Sequence, residues 1–215
     1  MASTITAGNA TNGLAISADN TGILQLKTGT GAGTVGLTID ASQNETFAGT
    51  VSVATGALYP LASGTVQTIS GTPTSIDFTN IPATAKRITV MFSSVDTTAT
   101  ANILVQIGTA GSPDNTGYLG QAMQVVTGNV TNGTSFTTGF GIFRSSAYTV
   151  AGTMVLTLIN PATNTWVGNA TGASLSTGLC VLSGGTKTLS GVLNIVRVTL
   201  STSTFSGGSI NLMWE

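Results

Sequence analysis

Short runs in which apolar and polar residues alternate are the feature that most limits what this chain can fold into. One such run contains Leu37 and Ile39 and another contains Val51 and Val53, with the polar segment ASQN between them. A period of two places the apolar side chains on one face of a β-strand. No segment shows the period of an amphipathic helix, so the sequence predicts an all-β protein.

The composition favours the same fold class. The chain has 215 residues, of which 28 are glycine, and only 6% of the residues are charged. β-Branched residues suit the pleated surface of a sheet, and glycine and asparagine suit its tight turns. A hydrophobic content of 41% with a net charge of −1 predicts an ordered chain.

The segment ATGALYPLASGT, with one proline and two glycines, predicts a boundary near residue 60. We therefore predict two regions, residues 1–60 and residues 61–215. The second region contains longer candidate strands, about eight to eleven in number, and predicts an antiparallel β-sandwich of the jelly-roll kind. Its candidate strands include Ser135–Phe143 and Leu175–Leu182, with a loop or turn at Trp166.

The first region is too poor in large apolar residues to build a core from one chain. Three copies could turn their apolar faces towards a threefold axis, so that each chain supplies one third of a shared core. Each buried Leu, Ile or Val contributes about 1.5–3 kcal/mol, whereas a lone hairpin is marginal in water. We therefore predict a short, intertwined trimeric β shaft. Its predicted core residues are Leu14, Ile16, Leu24, Leu26, Val35, Leu37, Ile39, Val51 and Val53.

Residue types that carry catalysis are scarce in this sequence. The chain has no histidine, which excludes Ser-His-Asp and Cys-His catalytic arrangements and histidine metal sites. Seven acidic residues remain, but their spacing selects no pair for glycoside hydrolysis. We therefore predict that the protein is not an enzyme, and we assign it no cofactor and no metal ligands.

Charge and hydropathy restrict the partners. The six lysine and arginine residues are spread along the chain, whereas nucleic acid binding needs clustered positive charge. No secretion signal and no apolar run of about 18–20 residues is visible, so we predict no membrane insertion and synthesis in a cytoplasm. The single Cys180 is predicted to be buried as a small hydrophobic residue.

Three aromatic residues in polar, loop-like contexts are candidates for contact with a receptor: Trp166, Tyr118 and Tyr148. Aromatic faces stack on sugar rings and anchor protein interfaces. For Trp166 the alternative is packing against the sandwich or in the trimer interface. Trp214 alternates with Ile210 and Leu212, and this pattern predicts a core position.

Two parts of the sequence resemble proteins of bacteriophage virions. The stretch ISADNTGILQLKTGTGAGTVGLTIDASQNETFAGTVSV is similar to segments of tail-fibre and related virion proteins. The stretches TPTSIDFTNIPATAKRITVMFSSV, ILVQIGT, TGYLG and FSGGSINLMWE are similar to a C-terminal domain common in phage fibre proteins. The resemblance covers most of the chain, and residues 127–175 are its least distinctive part.

The resemblance implies a homotrimeric virion fibre made in the bacterial host cytoplasm. Its N-terminal end would dock on another virion structural protein, and its C-terminal knob would be exposed for adhesion to a host-surface glycan or protein. A tail fibre is the leading interpretation. A head fibre or decoration protein on the capsid, with a structural or weakly adhesive role, is the alternative. A free lectin-like sandwich and a polysaccharide-cleaving enzyme are the remaining rivals.

Overall fold

The computed structural model describes residues 21, 23–28, 34–49, 52–53, 56–57, 61–126, 129–176 and 178–215. Within these ranges the chain forms antiparallel β-strands joined by turns, with no helix, which confirms the predicted all-β fold class. The chain divides into two compact units, Met1–Leu58 and Tyr59–Glu215. Among the predicted shaft residues, Leu14, Ile16 and Val51 lie outside the described residues, and Val53 is described only as part of a strand.

The first unit contains two small antiparallel sheets. Strands β1, β2 and β3 form a three-stranded sheet in that order, and β4 pairs with β5. The strands described in this unit are β1 (Leu24–Thr28), β2 (Thr34–Ile39), β3 (Glu45–Phe47), β4 (Ser52–Val53) and β5 (Gly56–Ala57).

Asp40 organises the turn between β2 and β3. Its carboxylate accepts hydrogen bonds from the Asn44 side-chain amide at 2.9 Å and from the backbone amides of Asn44 at 2.9 Å and Ser42 at 2.8 Å. These bonds stabilise the charged carboxylate and lower the pKa of Asp40. The predicted ASQN turn therefore exists as an Asx-type turn, but the strand that follows it and pairs with β2 is Glu45–Phe47.

The second unit is built from two larger antiparallel sheets. A nine-stranded sheet has the order β13-β12-β17-β16-β15-β9-β19-β6, with β7 also paired to β19, and a five-stranded sheet has the order β11-β10-β18-β8, with β14 also paired to β10. The strands described in this unit are β6 (Ala62–Ser63), β7 (Gln67–Thr68), β8 (Ser75–Thr79), β9 (Arg87–Thr97), β10 (Ile103–Thr109), β11 (Ser112–Pro113), β12 (Tyr118–Val126), β13 (Asn129–Phe136), β14 (Phe140–Ile142), β15 (Val150–Asn160), β16 (Thr165–Ser174), β17 (Leu179–Thr188), β18 (Ile195–Leu200) and β19 (Phe205–Trp214).

One continuous hydrophobic core lies between these two sheets. Val90 and Leu156 come from the nine-stranded sheet, Val105 and Val198 come from the five-stranded sheet, and all four are fully buried. Around Val90 and Leu156 the buried positions alternate with less buried ones, as the period-two pattern requires, whereas β10 is buried on both faces from residue 103 to residue 108. The second unit is therefore the predicted antiparallel β-sandwich.

The structure differs from the sequence-based expectation between residues 135 and 182. The predicted single strand Ser135–Phe143 corresponds to two separate elements, the end of β13 and the strand β14, and these belong to different sheets. The predicted loop at Trp166 is the long strand β16, and β17 continues well past Leu182. Glycine, alanine and asparagine give β16 a low intrinsic strand propensity, but pairing with both β15 and β17 overrides it.

Glycine is required at two close approaches in the sandwich. A Cβ atom on Gly168 would lie 2.8 Å from the Leu156 side chain and 2.9 Å from the Phe140 ring, so only glycine lets these groups meet over β16. Gly208 has a φ of 97° where β19 forms a bulge against β9, and a Cβ there would lie 2.4 Å from the Ser94 carbonyl oxygen.

Candidate functional site

The three aromatic residues predicted to contact a receptor are buried in the sandwich. The exposed fraction is 1% for Tyr118, 2% for Tyr148 and 2% for Trp166. Their rings belong to the main core, and Trp214 is partly buried against the same core. Assigning the first three to a receptor surface is therefore a wrong prediction for this fold, and the alternative of packing against the sandwich holds for Trp166.

Tyr118 ties the start of β12 to β10. Its hydroxyl accepts the Ile107 amide at 2.8 Å and lies 3.1 Å from the Asp114 carbonyl oxygen, and its ring meets Phe140 edge-on at 5.2 Å between centroids. Burial raises the pKa of Tyr118 well above its usual range. Lys187 lies 5.3 Å from the ring centroid and forms a 2.8 Å ion pair with Asp114. These contacts give Tyr118 a structural role.

Arg144 is a fully buried cation beside Tyr148. Its guanidinium donates hydrogen bonds to the Thr97 hydroxyl and to the Tyr148 carbonyl oxygen, and it lies 3.6 Å from the half-exposed Asp96 carboxylate. Its carbon Cζ lies 5.1 Å from the centroid of the Tyr148 ring. Burial lowers the pKa of Arg144. Within the described residues its Nε atom has no hydrogen-bond partner.

Replacing Arg144 with methionine is expected to lower the free energy of unfolding by about 2–3 kcal/mol. Methionine fills much of the same space, but the Tyr148 carbonyl and the Thr97 hydroxyl lose their donor in a buried setting. Urea denaturation at fixed protein concentration measures the change. Arg87→Met is the control, with an expected loss of less than about 1 kcal/mol because the Arg87 side chain is 53% exposed in its ion pair with Glu215. An Arg144→Met protein as stable as the control would contradict a stabilising role.

Cys180 is exposed, and the prediction of a buried cysteine is wrong. It lies in β17 between Leu179 and Val181, which both point into the core. Because successive side chains of a strand point to opposite faces, Cys180 is directed away from the core.

A polar groove of about 420 Å³ lies on the side of the five-stranded sheet that points away from the core. Arg197 and Asp77 form a two-bond ion pair in this sheet, with Nε and one terminal nitrogen each 2.6 Å from a carboxylate oxygen. The hydrogen bonds that Arg197 donates to the Asp77 carboxylate raise the pKa of Arg197. The groove therefore offers hydroxyl, amide and guanidinium groups to a polar ligand. Its lining includes Thr74, Ser75, Asn115, Thr138, Arg197 and Thr199.

The three-stranded sheet of the first unit has one mainly apolar face, and Glu45, which lies opposite Ile39, is an exposed carboxylate at the edge of that face. Leu24 lies opposite Ile39, and Leu37 lies opposite both Leu26 and Phe47. Directly opposite residues of antiparallel strands share a face, so these five side chains lie on the same side. Leu26 is 45% exposed and Phe47 is 48% exposed, and the other three are partly exposed. We call these five residues the shaft face. Val35, another predicted shaft residue, lies at the other end of β2 and is also partly exposed.

In the described part of the chain, no three or more His, Cys, Asp or Glu side chains are grouped so that they could hold a metal ion. The same residues include no helix of the length and apolar character needed to cross a membrane. No protein family, curated protein or solved structure matches this chain.

Proposed function

We propose that this protein is a homotrimeric structural fibre of a bacteriophage virion, without enzymatic activity. Its N-terminal region would dock on another virion protein, and its C-terminal sandwich, the knob, would be exposed for adhesion to the host surface. The observation that carries the proposal is the shaft face, which leaves Leu26 and Phe47 about half exposed in one chain. Three copies around an axis would bury that face in a shared core.

The energetics of the shaft face favour association. Fully burying a Leu, Ile or Phe side chain contributes about 1.5–3 kcal/mol, and the five residues of the shaft face start partly exposed. Covering them would therefore contribute on the order of 5 kcal/mol per chain before association entropy is subtracted. A three-stranded sheet with an open apolar face gains most of its stability from such cover.

The resemblance to phage fibre proteins is the reason for proposing that the trimer belongs to a virion. The polar groove beside Arg197 supports an adhesive role for the knob, because its hydroxyl and amide groups match the hydrogen-bonding groups of a glycan or of a peptide backbone. This adhesive role is why we propose a tail fibre rather than a head fibre or decoration protein, for which the expected role is structural or weakly adhesive.

Sedimentation equilibrium of the full chain tests the oligomeric state. We expect a single species with three times the mass of one chain, because the shaft face is shared by three copies. A monomer at micromolar concentration would contradict the proposal and would favour a free sandwich domain.

Gold-labelled antibody against the chain, applied to intact virions, tests the location. Label on the tail is the expected result. Label on the capsid would contradict the tail assignment and favour a head fibre or decoration protein.

A further inference from the structure

The nine-stranded sheet has one side that faces away from the core, and we call that side the outer face. It carries almost no charge. Strands β12, β13, β15, β16 and β19 contain no charged residue, and Lys187 of β17 is buried. The charges of β9 lie near its two ends: Arg87, which is paired with Glu215 at 3.1 Å, and Asp96, whose side chain is 43% exposed. A typical soluble surface has about 25–35% charged residues, so the outer face is unusually poor in charge.

Apolar side chains are concentrated at one corner of the outer face. Met123 of β12 lies opposite Leu182 of β17, and they are 44% and 45% exposed. In the next row along the strands, Val125 lies opposite Cys180, and Cys180 lies opposite Ala173 of β16. We call these five residues the apolar corner.

We propose that the outer face is the surface through which the knob contacts the two other copies in the homotrimer, with the apolar corner nearest the threefold axis. This inference rests on the proposed trimeric fibre and adds which surface of the knob is shared. The occupant is a second copy of the same chain. Two faces so poor in charge lose little ion hydration when they meet, whereas a charged partner would have to be desolvated without receiving an opposite charge.

The size of the outer face also suits a subunit interface. Six central strands, spaced about 4.8 Å apart and about seven residues long at about 3.4 Å per residue, cover roughly 24 Å by 24 Å. Around a threefold axis each copy divides this face between its two neighbours, so the trimer would cover roughly 1,700 Å² of it in total, in addition to the shaft face. The polar groove lies on the other sheet and would remain open to a host ligand.

Cys180 provides a test within the native chain, because it is the only cysteine and is exposed in a single copy. Maleimide labelling of the native full chain is expected to modify Cys180 at least about tenfold more slowly than a control cysteine on the outward side of the five-stranded sheet. The control protein carries Cys180→Ala and Thr79→Cys, because Thr79 is also exposed in one chain. Labelling in denaturant calibrates both proteins.

A second variant relates the protection of Cys180 to contact between copies. Leu182→Asp adds a charge to the apolar corner at a position that is 45% exposed in one chain, so the sandwich fold should persist, and a neighbouring carboxylate does not by itself make the thiol more reactive. We expect it to raise the labelling rate of Cys180 to that of the control cysteine. Retained sheet structure is checked by circular dichroism.

The outcomes separate the two proposals. A trimer in which Cys180 labels as fast as the control would overturn the outer-face interface and leave the trimeric fibre intact. A trimer in which Cys180 is protected equally with and without Leu182→Asp would also overturn it. A monomeric native chain would overturn both proposals.

Discussion

Replacement of Trp166 with alanine is expected to lower the free energy of unfolding of the sandwich by about 3–5 kcal/mol. The indole is 2% exposed and belongs to the main core between the two sheets. Alanine would remove the apolar contacts of the ring and leave a cavity that β16, paired along both edges, cannot easily close. Urea denaturation, monitored by circular dichroism at fixed protein concentration, measures the loss.

Ile159→Ala is the matched control for Trp166→Ala. Ile159 is also a large apolar residue near one end of a long strand of the same sheet, but it is 63% exposed. Its replacement is expected to change the free energy of unfolding by less than about 0.5 kcal/mol. Equal losses in the two variants would show that burial does not determine the contribution of Trp166.

The sequence predicted the fold class because alternation is a local property. In β9 the buried residues Ile88, Val90 and Phe92 are separated by single residues that point outwards, and this pattern is visible without any partner strand. Strand β16 shows the limit of such an argument. Its buried positions after Trp166 include Gly168 and Ala170, which are too small to give a strong apolar period.

The prediction that Trp166 contacts a receptor was wrong for a related reason. Polar neighbours of Trp166, such as Asn169 and Thr171, lie on the outer side of β16, while the indole lies on the inner side. The sequence context was polar, but the side-chain environment was apolar. The alternation of Trp166 with Gly168 and Ala170 is the one local signal that could have indicated a buried ring.

Contacts between distant residues could not be derived from the sequence pattern. Arg144 meets Thr97 and Ala101 across a separation of more than forty residues, and its burial depends on how β9 and the segment after β14 meet. A lone arginine in a polar segment predicts a solvated side chain. The cross-strand register that places Leu26 opposite Leu37 likewise depends on a bulge after Leu26.

The shaft face gives the proposed trimer its most direct mutational test. Leu37→Asp is expected to raise the dissociation constant of the trimer by at least about a hundredfold, which corresponds to about 3 kcal/mol. Leu37 is central because it lies opposite both Leu26 and Phe47, so a carboxylate there would enter the shared core from all three chains without a partner. Sedimentation equilibrium over a concentration series measures the constant.

Thr46→Asp is the control for Leu37→Asp. It adds the same carboxylate to the same sheet but on the opposite side, so it tests whether the position of the charge weakens the trimer. Thr46 lies between Glu45 and Phe47 in β3 and opposite Thr38, so its side chain points to the side of the sheet away from the shaft face. Because Thr46 is exposed, the added carboxylate stays hydrated, and the dissociation constant is expected to change less than about threefold. If both variants weakened the trimer equally, net charge rather than burial of the shaft face would control association. If neither did, the contacts that hold the copies together would have to lie elsewhere, and the outer face of the knob would be the next surface to disrupt.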